Sequence, residues 1–271
     1  MGKRAGLAVM AAMVLALSAL VAEAPHGVAA PTPQLSGLRA AAHPGYDRLV
    51  FQFTGPIPAV RRVAWVPRVT EDPSGRPVAL GGRAFLRVSF QPATAHTPAG
   101  SATYAGRLPT TFDLPVLRSV RMAGDFEHVL SFGIGLWQRT RLHVFTLSTP
   151  SRLVIDMTVP SGGPGRLDAI DDHRLVYLDV GDAVRVALRT CVSCGESWRI
   201  LQAPSPRVVR IEAATVVPLP HPPGIVGFPY ESRWTLRATG AGCTSLQIDE
   251  LPPQRGAPPL SRYVLRFVVS R

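Results

Sequence analysis

Cysteine and lysine are scarce in this sequence. Its 271 residues include three cysteines, too few for the dense disulfide framework of a small secreted scaffold. Lys3 is the only lysine, so the basic residues are otherwise arginines, and no basic run after the N-terminal segment is longer than Arg61–Arg62. The net charge of +11 is therefore dispersed. Dispersed charge is typical of a solvated surface, and we expect no nucleic-acid partner.

The sequence also lacks the motifs of the common enzyme classes. It contains no G-x-S-x-G elbow, H-E-x-x-H, Walker loop or G-x-G-x-x-G after a strand. The histidines are scattered, and His128 and His143 are more typical of surface or core residues than of catalytic bases. No second Cys/His pair has the spacing of a zinc site. We therefore expect a protein that is not an enzyme and that holds no metal or cofactor, although convergent active sites carry no motif.

Residues 1–30 have the organisation of an export signal. Lys3 and Arg4 precede an apolar run from Leu7 to Ala22, and small residues with A-x-A-like spacing come after it. The run is short for a spanning helix, which needs about 20 apolar residues, and no later stretch approaches that length. We predict a signal peptide at 1–30, with an uncleaved signal anchor as the alternative. The mature protein is then secreted or held in the cell envelope, without a membrane span.

The rest of the sequence has the pattern of β-strands. Leu49, Phe51 and Phe53 alternate with other residues, and similar β-rich segments recur, bounded by Gly, Pro, Asp and Ser. After the Gly- and Pro-rich segment 160–165, the alternation starts again and continues to 263–269.

This pattern predicts an all-β protein with two β-sandwich domains. We place the first domain at 36–160, a linker at 161–168 and the second domain at 169–271. The several short strands of the second domain have the spacing of an immunoglobulin-like sandwich. Trp198, just after a loop, fits a core tryptophan packed between its sheets.

Several stretches of the first predicted domain resemble a known family. They are 43–51, 81–86, 124–127, 131–136 and 150–156, and they resemble the AMIN-like domain of secreted bacterial proteins. The related AMIN domains are β-sandwiches that help to place envelope proteins at peptidoglycan, so the resemblance implies a cell-wall glycan as a candidate partner. Six charged residues are expected to form structural ion pairs, with a polar glycan groove as the alternative. These are Asp47, Arg48, Asp125, Glu127, Arg152 and Asp156.

Residues 175–271 resemble the chagasin family, which inhibits papain-like cysteine peptidases. The resemblance rests on Val180-Gly181-Asp182, on the loop 191–198 and on the stretch 234–246. Family members insert loops from one end of the sandwich into the peptidase cleft. The resemblance therefore implies a papain-like cysteine peptidase as the partner of the second domain.

The three family loops correspond to 191–197, 224–231 and 250–259 in this chain. The first loop reads N-P-T-T-G-Y-x-W in the family; here Gly195 and Trp198 match and Ser193 is a conservative change, whereas the other positions differ. The second loop has Pro229 and Tyr230 in place of glycines, and the third keeps only the proline of R-P-W. We predict that the loops gather at one end of the domain, because alternate connections of an antiparallel sandwich share an end.

The residues expected to contact a partner lie on these three loops. They are Ser193, Cys194, Gly195, Gly227, Phe228, Pro229, Tyr230, Leu251, Pro252 and Pro253. A rigid surface of aromatic residues and prolines loses little entropy on docking, which suits protein recognition. The alternative is that Phe228 and Tyr230 cap the core of the domain.

The oxidising environment of an exported protein favours a disulfide. In the fold that the chagasin resemblance implies, the strand from Cys243 runs toward the end that carries the first loop, so Cys243 starts roughly 17–20 Å from that loop. Cα atoms more than about 7 Å apart cannot be bridged. The expected pair is Cys191–Cys194, with Cys243 free. A redox-active C-x-x-C is the alternative, although its usual setting is a helix N-terminus in an α/β fold.

Two functional hypotheses remain. In the first, the chain is a secreted or envelope-associated inhibitor whose second-domain loops block the cleft of a papain-like peptidase without presenting a cleavable bond. In the second, it is a non-inhibitory envelope module that recognises peptidoglycan or another secreted protein. The domain-wide resemblance favours the first hypothesis, and the altered loops favour the second. We adopt the first as the leading hypothesis.

Overall fold

The computed structural model describes residues 31–104, 106, 110–224 and 227–271. The predicted signal peptide at 1–30 lies outside these residues. Strands make up 57% of the described residues and helix 3%, which confirms the prediction of an all-β protein. The described helices are the single 3₁₀ turns η1 (Ala169–Asp171) and η2 (Val192–Cys194). None of the described helices is long and apolar enough to cross a membrane.

The first sandwich is built from two antiparallel sheets. Its strands are β1 (Gln34–His43), β2 (Tyr46–Thr54), β3 (Val60–Val66), β4 (Ala84–Gln91), β5 (Thr110–Thr111), β6 (Leu117–Phe126), β7 (Val129–Leu136), β8 (Leu142–Ser148) and β9 (Ser151–Thr158). One sheet has the order β1-β2-β9-β8, and the other has the order β3-β4-β7-β6-β5.

The core of the first sandwich explains why its strands alternate. Leu49, Phe51 and Phe53 of β2 point inward because successive strand residues face opposite sides, and they meet Phe90 and Phe132 from the facing sheet. The Phe51 ring lies 4.9 Å from that of Phe132, in the tilted arrangement that aromatic pairs favour. Burial of this apolar set holds the two sheets together.

The second sandwich has two sheets of mixed direction. Its strands are β10 (Arg166–Leu167), β11 (Arg174–Asp179), β12 (Ala183–Thr190), β13 (Ser197–Gln202), β14 (Val209–Pro218), β15 (Tyr230–Ala238), β16 (Gly242–Leu251) and β17 (Ser261–Ser270). The sheet orders are β10-β12-β15-β14 and β11-β17-β16-β13. β10 pairs with β12 and β11 with β17 in parallel; the remaining pairs are antiparallel. No described strand is exchanged between the two sandwiches.

The tryptophans of the second sandwich differ from expectation in their burial. Trp234 on β15 is a member of the buried core, whereas Trp198 is half-buried at its edge. The Trp198 indole N–H donates to the carbonyl oxygen of Arg189, 2.7 Å away. Arg189 lies near the end of β12 and Trp198 near the start of β13, so this hydrogen bond joins the two ends of the loop that connects the two sheets.

The segment predicted as the linker takes part in the second sandwich. Arg166 and Leu167, near its end, form β10, and Leu167 is fully buried. One buried leucine in a Gly- and Pro-rich segment gives no periodic signal, which is why the sequence did not indicate a strand there.

The two sandwiches are joined by charged side chains around Asp171. This carboxylate is fully buried and accepts hydrogen bonds from Arg174 at 2.8 Å and from Arg83 of the first sandwich at 2.6 and 2.8 Å. The Arg174 guanidinium also lies 4.6 Å from the ring centre of Trp137, and Arg266 pairs with Asp113. Burial lowers the pKa of Arg174, against the opposing effect of Asp171.

The charged residues singled out in the first domain have separate roles. Arg48 and Asp156 form a two-bond ion pair at 2.7 and 2.8 Å across β2 and β9. Asp47 is buried and accepts backbone N–H groups instead, and burial raises its pKa despite these bonds. Asp125 contacts His96, and Arg152 donates to backbone carbonyl oxygens. Of these residues, Arg48 and Asp156 form an ion pair with each other, as expected.

Candidate functional site

Strand register brings three loops to one end of the second sandwich. In one sheet, Tyr230 pairs with both Thr190 and Pro218, so the chain leaves β12 beside the β14–β15 hairpin. In the other sheet, Ser197 pairs with Leu251, so β13 starts beside the β16–β17 hairpin. The β12–β13 loop thus spans from one hairpin loop to the other. We call the loops 191–196, 219–229 and 252–260 the first, second and third loop.

The first loop is a closed turn. The N–H groups of Cys194 and Glu196 donate to the carbonyl oxygen of Cys191, at 3.0 and 3.2 Å, and the Gly195 N–H donates to Val192. The Glu196 carboxylate accepts the Cys191 N–H at 3.3 Å. A disulfide joins Cys191 to Cys194, whose Cα atoms are 5.1 Å apart. The hydrogen bond from Trp198 to Arg189 also holds the two ends of the loop together. The loop is therefore fixed before any partner binds.

At its glycines, the first loop packs against the third loop and lies beside the second loop. Gly195 has φ +79°, and a Cβ placed there would lie 2.7 Å from the Cβ of Pro253 in the third loop. A Cβ on Gly227 of the second loop would lie 3.9 Å from the Ser193 hydroxyl. Glycine is therefore required at 195 both by the left-handed backbone and by close packing.

The second loop carries a stack of aromatic rings. The Phe228 ring lies 3.6 Å from that of His221 and 5.1 Å from that of Tyr230, and both pairs are nearly parallel. Four prolines in the loop, Pro220, Pro222, Pro223 and Pro229, fix φ along it. Residues 225 and 226 of this loop lie outside the described residues.

Phe228 and Tyr230 are not among the described side chains that pack on the core of the second sandwich. The half-buried apolar side chains that pack on that core are Trp198, Ile200, Val208 and Ile211. Because Phe228 and Tyr230 are half-buried within their own stack, each keeps part of its ring surface open. This observation favours a role in contact with a partner.

Ion pairs anchor the loop ends to the sandwich. Asp249 pairs with Arg262 at 2.9 Å below the third loop, and this hydrogen bond lowers the pKa of Asp249. Glu231, next to the second loop, is buried but accepts hydrogen bonds from Arg166 and Arg233. Burial alone would raise the pKa of Glu231, and the two guanidinium groups together lower it below its ordinary value.

The same end contains the one cluster of metal-type donor atoms among the described residues. The two sulfur atoms of Cys191 and Cys194 and a carboxylate oxygen of Glu196 lie within 4.8 Å of one another. Both sulfurs are taken up by the disulfide, so neither is a thiolate ligand. A groove of about 280 Å³ beside them is lined by Arg189, Glu196 and Glu250 among others.

The structure thus gathers the predicted contact residues at one end of the second sandwich. Ser193, Cys194, Gly195 and Pro253 are exposed there, while Leu251 and Pro252 are half-buried. Cys243 begins β16 and is a free, exposed thiol eight strand residues from Leu251, or about 26 Å away. Sequence reasoning missed His221, which joins the aromatic stack. Its sequence neighbours are prolines, and no periodic pattern relates it to Phe228.

Both sandwiches match known domain families. Family models make the assignment: residues 33–159 match the AMIN-like domain, and residues 177–267 match the chagasin family peptidase inhibitor I42. The chain therefore carries an AMIN-like domain followed by a chagasin-family domain, which confirms the two resemblances and their order.

Individual proteins are similar to the second sandwich. Amoebiasin-2 of Entamoeba histolytica is 28% identical over 100 residues, which are 36% of this chain and 80% of that protein. The crystal structure of the cysteine protease inhibitor EhICP2 from Entamoeba histolytica is 26% identical with a TM-score of 0.35, over 39% of this chain and 94% of that chain. PbICP-C, solved in complex with falcipain-2, is 13% identical with a TM-score of 0.27, over 41% of this chain and 93% of that chain.

Proposed function

We propose that this protein is an exported inhibitor of papain-like cysteine peptidases and not itself an enzyme. The observation that carries the proposal is the gathering of the three loops at one end of a chagasin-family domain, with the first loop packed against the third. The match to a peptidase-inhibitor family supports the inhibitor class. The target class and the export of the chain rest on the family and on the sequence of residues 1–30.

The loops are suited to steric blocking. The disulfide, the prolines of the second loop and the Gly195–Pro253 contact restrict the shape of the described parts of the three loops. Little conformational entropy is therefore lost when these loops enter a cleft. The half-buried rings of Phe228 and Tyr230 offer the apolar anchor on which interface energy usually concentrates. A turn held by its own hydrogen bonds and a disulfide does not present an extended, cleavable peptide bond.

The test is an inhibition titration of the chain from residue 31 onward against a panel of papain-like peptidases. We expect inhibition of at least one member, and a loss of about 30-fold or more in the Phe228→Ala/Tyr230→Ala variant, since one hot spot contributes about 2 kcal/mol. Phe126→Ala is the matched control, because Phe126 is an exposed ring in the first sandwich, on the β6–β7 hairpin. A large drop in melting temperature in the double variant would mean that these rings are structural and would remove them from the site.

A second role is favoured for the first sandwich, namely attachment to cell-wall glycan. On the outer face of its β1-β2-β9-β8 sheet, the Arg48 guanidinium lies 5.2 Å from the Tyr46 ring and 5.5 Å from the Phe145 ring, and His143 stands beside Phe145. Aromatic rings flanking a two-bond Arg–Asp pair suit the apolar faces and hydroxyls of a sugar. Co-sedimentation with purified cell wall tests this role, with Phe145→Ala as the variant expected to bind less.

A further inference from the structure

The disulfide of the first loop is placed where an incoming peptidase would meet it. Cys194 is exposed, as are its neighbours Ser193 and Gly195, while Cys191 is half-buried. The loop that carries them packs against the third loop and lines a common groove with the second, so it lies within the proposed binding surface. Any chemical role for this disulfide rests on the proposed function, because it requires a peptidase bound at this edge.

The chemistry of such a peptidase matches the chemistry of this loop. Papain-like enzymes hold their catalytic cysteine as a thiolate at neutral pH, because the adjacent imidazolium stabilises it. A thiolate attacks a disulfide sulfur and forms a mixed disulfide. We infer that the Cys191–Cys194 disulfide is a reactive group, which the catalytic thiolate of the bound peptidase opens at Cys194 to give a covalent peptidase–inhibitor complex.

The step is balanced without any further oxidant. The peptidase thiolate donates an electron pair to Sγ of Cys194, the Cys191–Cys194 bond breaks, and Cys191 leaves as a thiolate. The peptidase sulfur is oxidised to the mixed disulfide and the Cys191 sulfur is reduced. Cys194 is the sulfur attacked because Cys194 is exposed whereas Cys191 is half-buried, and access decides which sulfur a thiolate reaches.

The surroundings of Cys191 determine how long the adduct persists. Its sulfur lies 3.6 Å from the Ser193 hydroxyl, and the Glu196 carboxylate is within 4.8 Å. The released Cys191 thiolate takes up a proton from solvent and becomes a thiol. A protonated thiol attacks slowly, which delays the return reaction. The backbone bonds of the turn do not depend on the disulfide and keep Cys191 nearby.

Papain is the first probe, activated with a small thiol that is then removed. Every variant carries Cys243→Ser, so that the free thiol of β16 cannot take part. Oxidised chain and papain are mixed, alkylated at low pH and analysed by non-reducing mass spectrometry. The comparison is the Cys191→Ser/Cys194→Ser variant, with papain whose catalytic cysteine has been alkylated as the second control. Where papain is not inhibited, the inhibited member of the panel replaces it.

We expect a one-to-one adduct that links the catalytic cysteine to Cys194, and peptidase activity that returns with dithiothreitol but not on dilution. The double-serine variant and the alkylated papain should give no adduct. Reversible inhibition without an adduct, or a link to Cys191 instead, would overturn this inference and leave the proposed function standing. If no member of the panel is inhibited by any form, the proposed function fails, and this inference fails with it.

Discussion

Substitution of Gly195 is the most direct way to disturb the contact between the first and third loops. Substitution with alanine adds one methyl group at φ +79°, where a side chain costs about 1–2 kcal/mol. The new Cβ would also lie 2.7 Å from the Cβ of Pro253, whereas saturated carbons prefer about 3.5–4.0 Å. Pro253 must therefore move by about 1 Å. Overpacking of this kind adds about 1–3 kcal/mol to the conformational cost.

Gly45 separates the two effects, because it has the same φ of +79° and nothing within 4 Å of an added Cβ. Gly45→Ala should lower the free energy of unfolding by about 1–2 kcal/mol and leave inhibition unchanged. Gly195→Ala should lower it further and should weaken inhibition by about tenfold or more, since the third loop is displaced from the other two. Urea unfolding and the inhibition constant against one peptidase measure both quantities. Equal effects of the two variants on inhibition would refute the contact between the loops as a requirement for binding.

Two further predictions concern the framework behind the loops. Asp171→Asn leaves the buried guanidinium of Arg174 without its carboxylate and should lower the free energy of unfolding by about 3–5 kcal/mol. The control is Glu71→Gln at an exposed ion pair, which should cost less than about 1 kcal/mol. Similar values for the two variants would contradict a buried junction. The pKa of Glu231 is lowered in the folded chain. The ionised carboxylate therefore stabilises the fold fully above the unfolded-state pKa of about 4.3, and this stabilisation is lost as the pH falls through the lower folded-state pKa. Glu231→Gln should therefore flatten the loss of stability below about pH 5, and an unchanged slope in a urea series would show that Glu231 is not responsible.

Strands and loops were predictable from the sequence because they depend on local patterns. Leu49, Phe51 and Phe53 alternate because one side of β2 faces the core, and this period is visible without the fold. The first loop was located from Gly195 and Trp198. The contact between Gly195 and Pro253, in contrast, joins two loops at the ends of different strand pairs, and only the register of the strands brings them together.

The junction of the two sandwiches was not predictable. Arg83 and Asp171 are 88 residues apart, and neither lies in a pattern that marks it as buried. Their pairing depends on how two separate sandwiches dock, which no local period encodes. Trp198 and Trp234 show the same limit at a smaller scale. Both are large apolar side chains of the kind that packs in a core, and only the packing of the sheets decides that Trp234 is the buried one.

The central claim is that the three loops of the second sandwich together enter a peptidase cleft. Amide hydrogen exchange of the chain tests this claim most directly. It is measured on the chain alone and with a papain-like peptidase that the chain inhibits and whose catalytic cysteine has been alkylated. We predict added protection at 191–197, 224–231 and 250–259, with little change in the first sandwich. Protection confined to the first sandwich, or to strands away from these loops, would contradict the account.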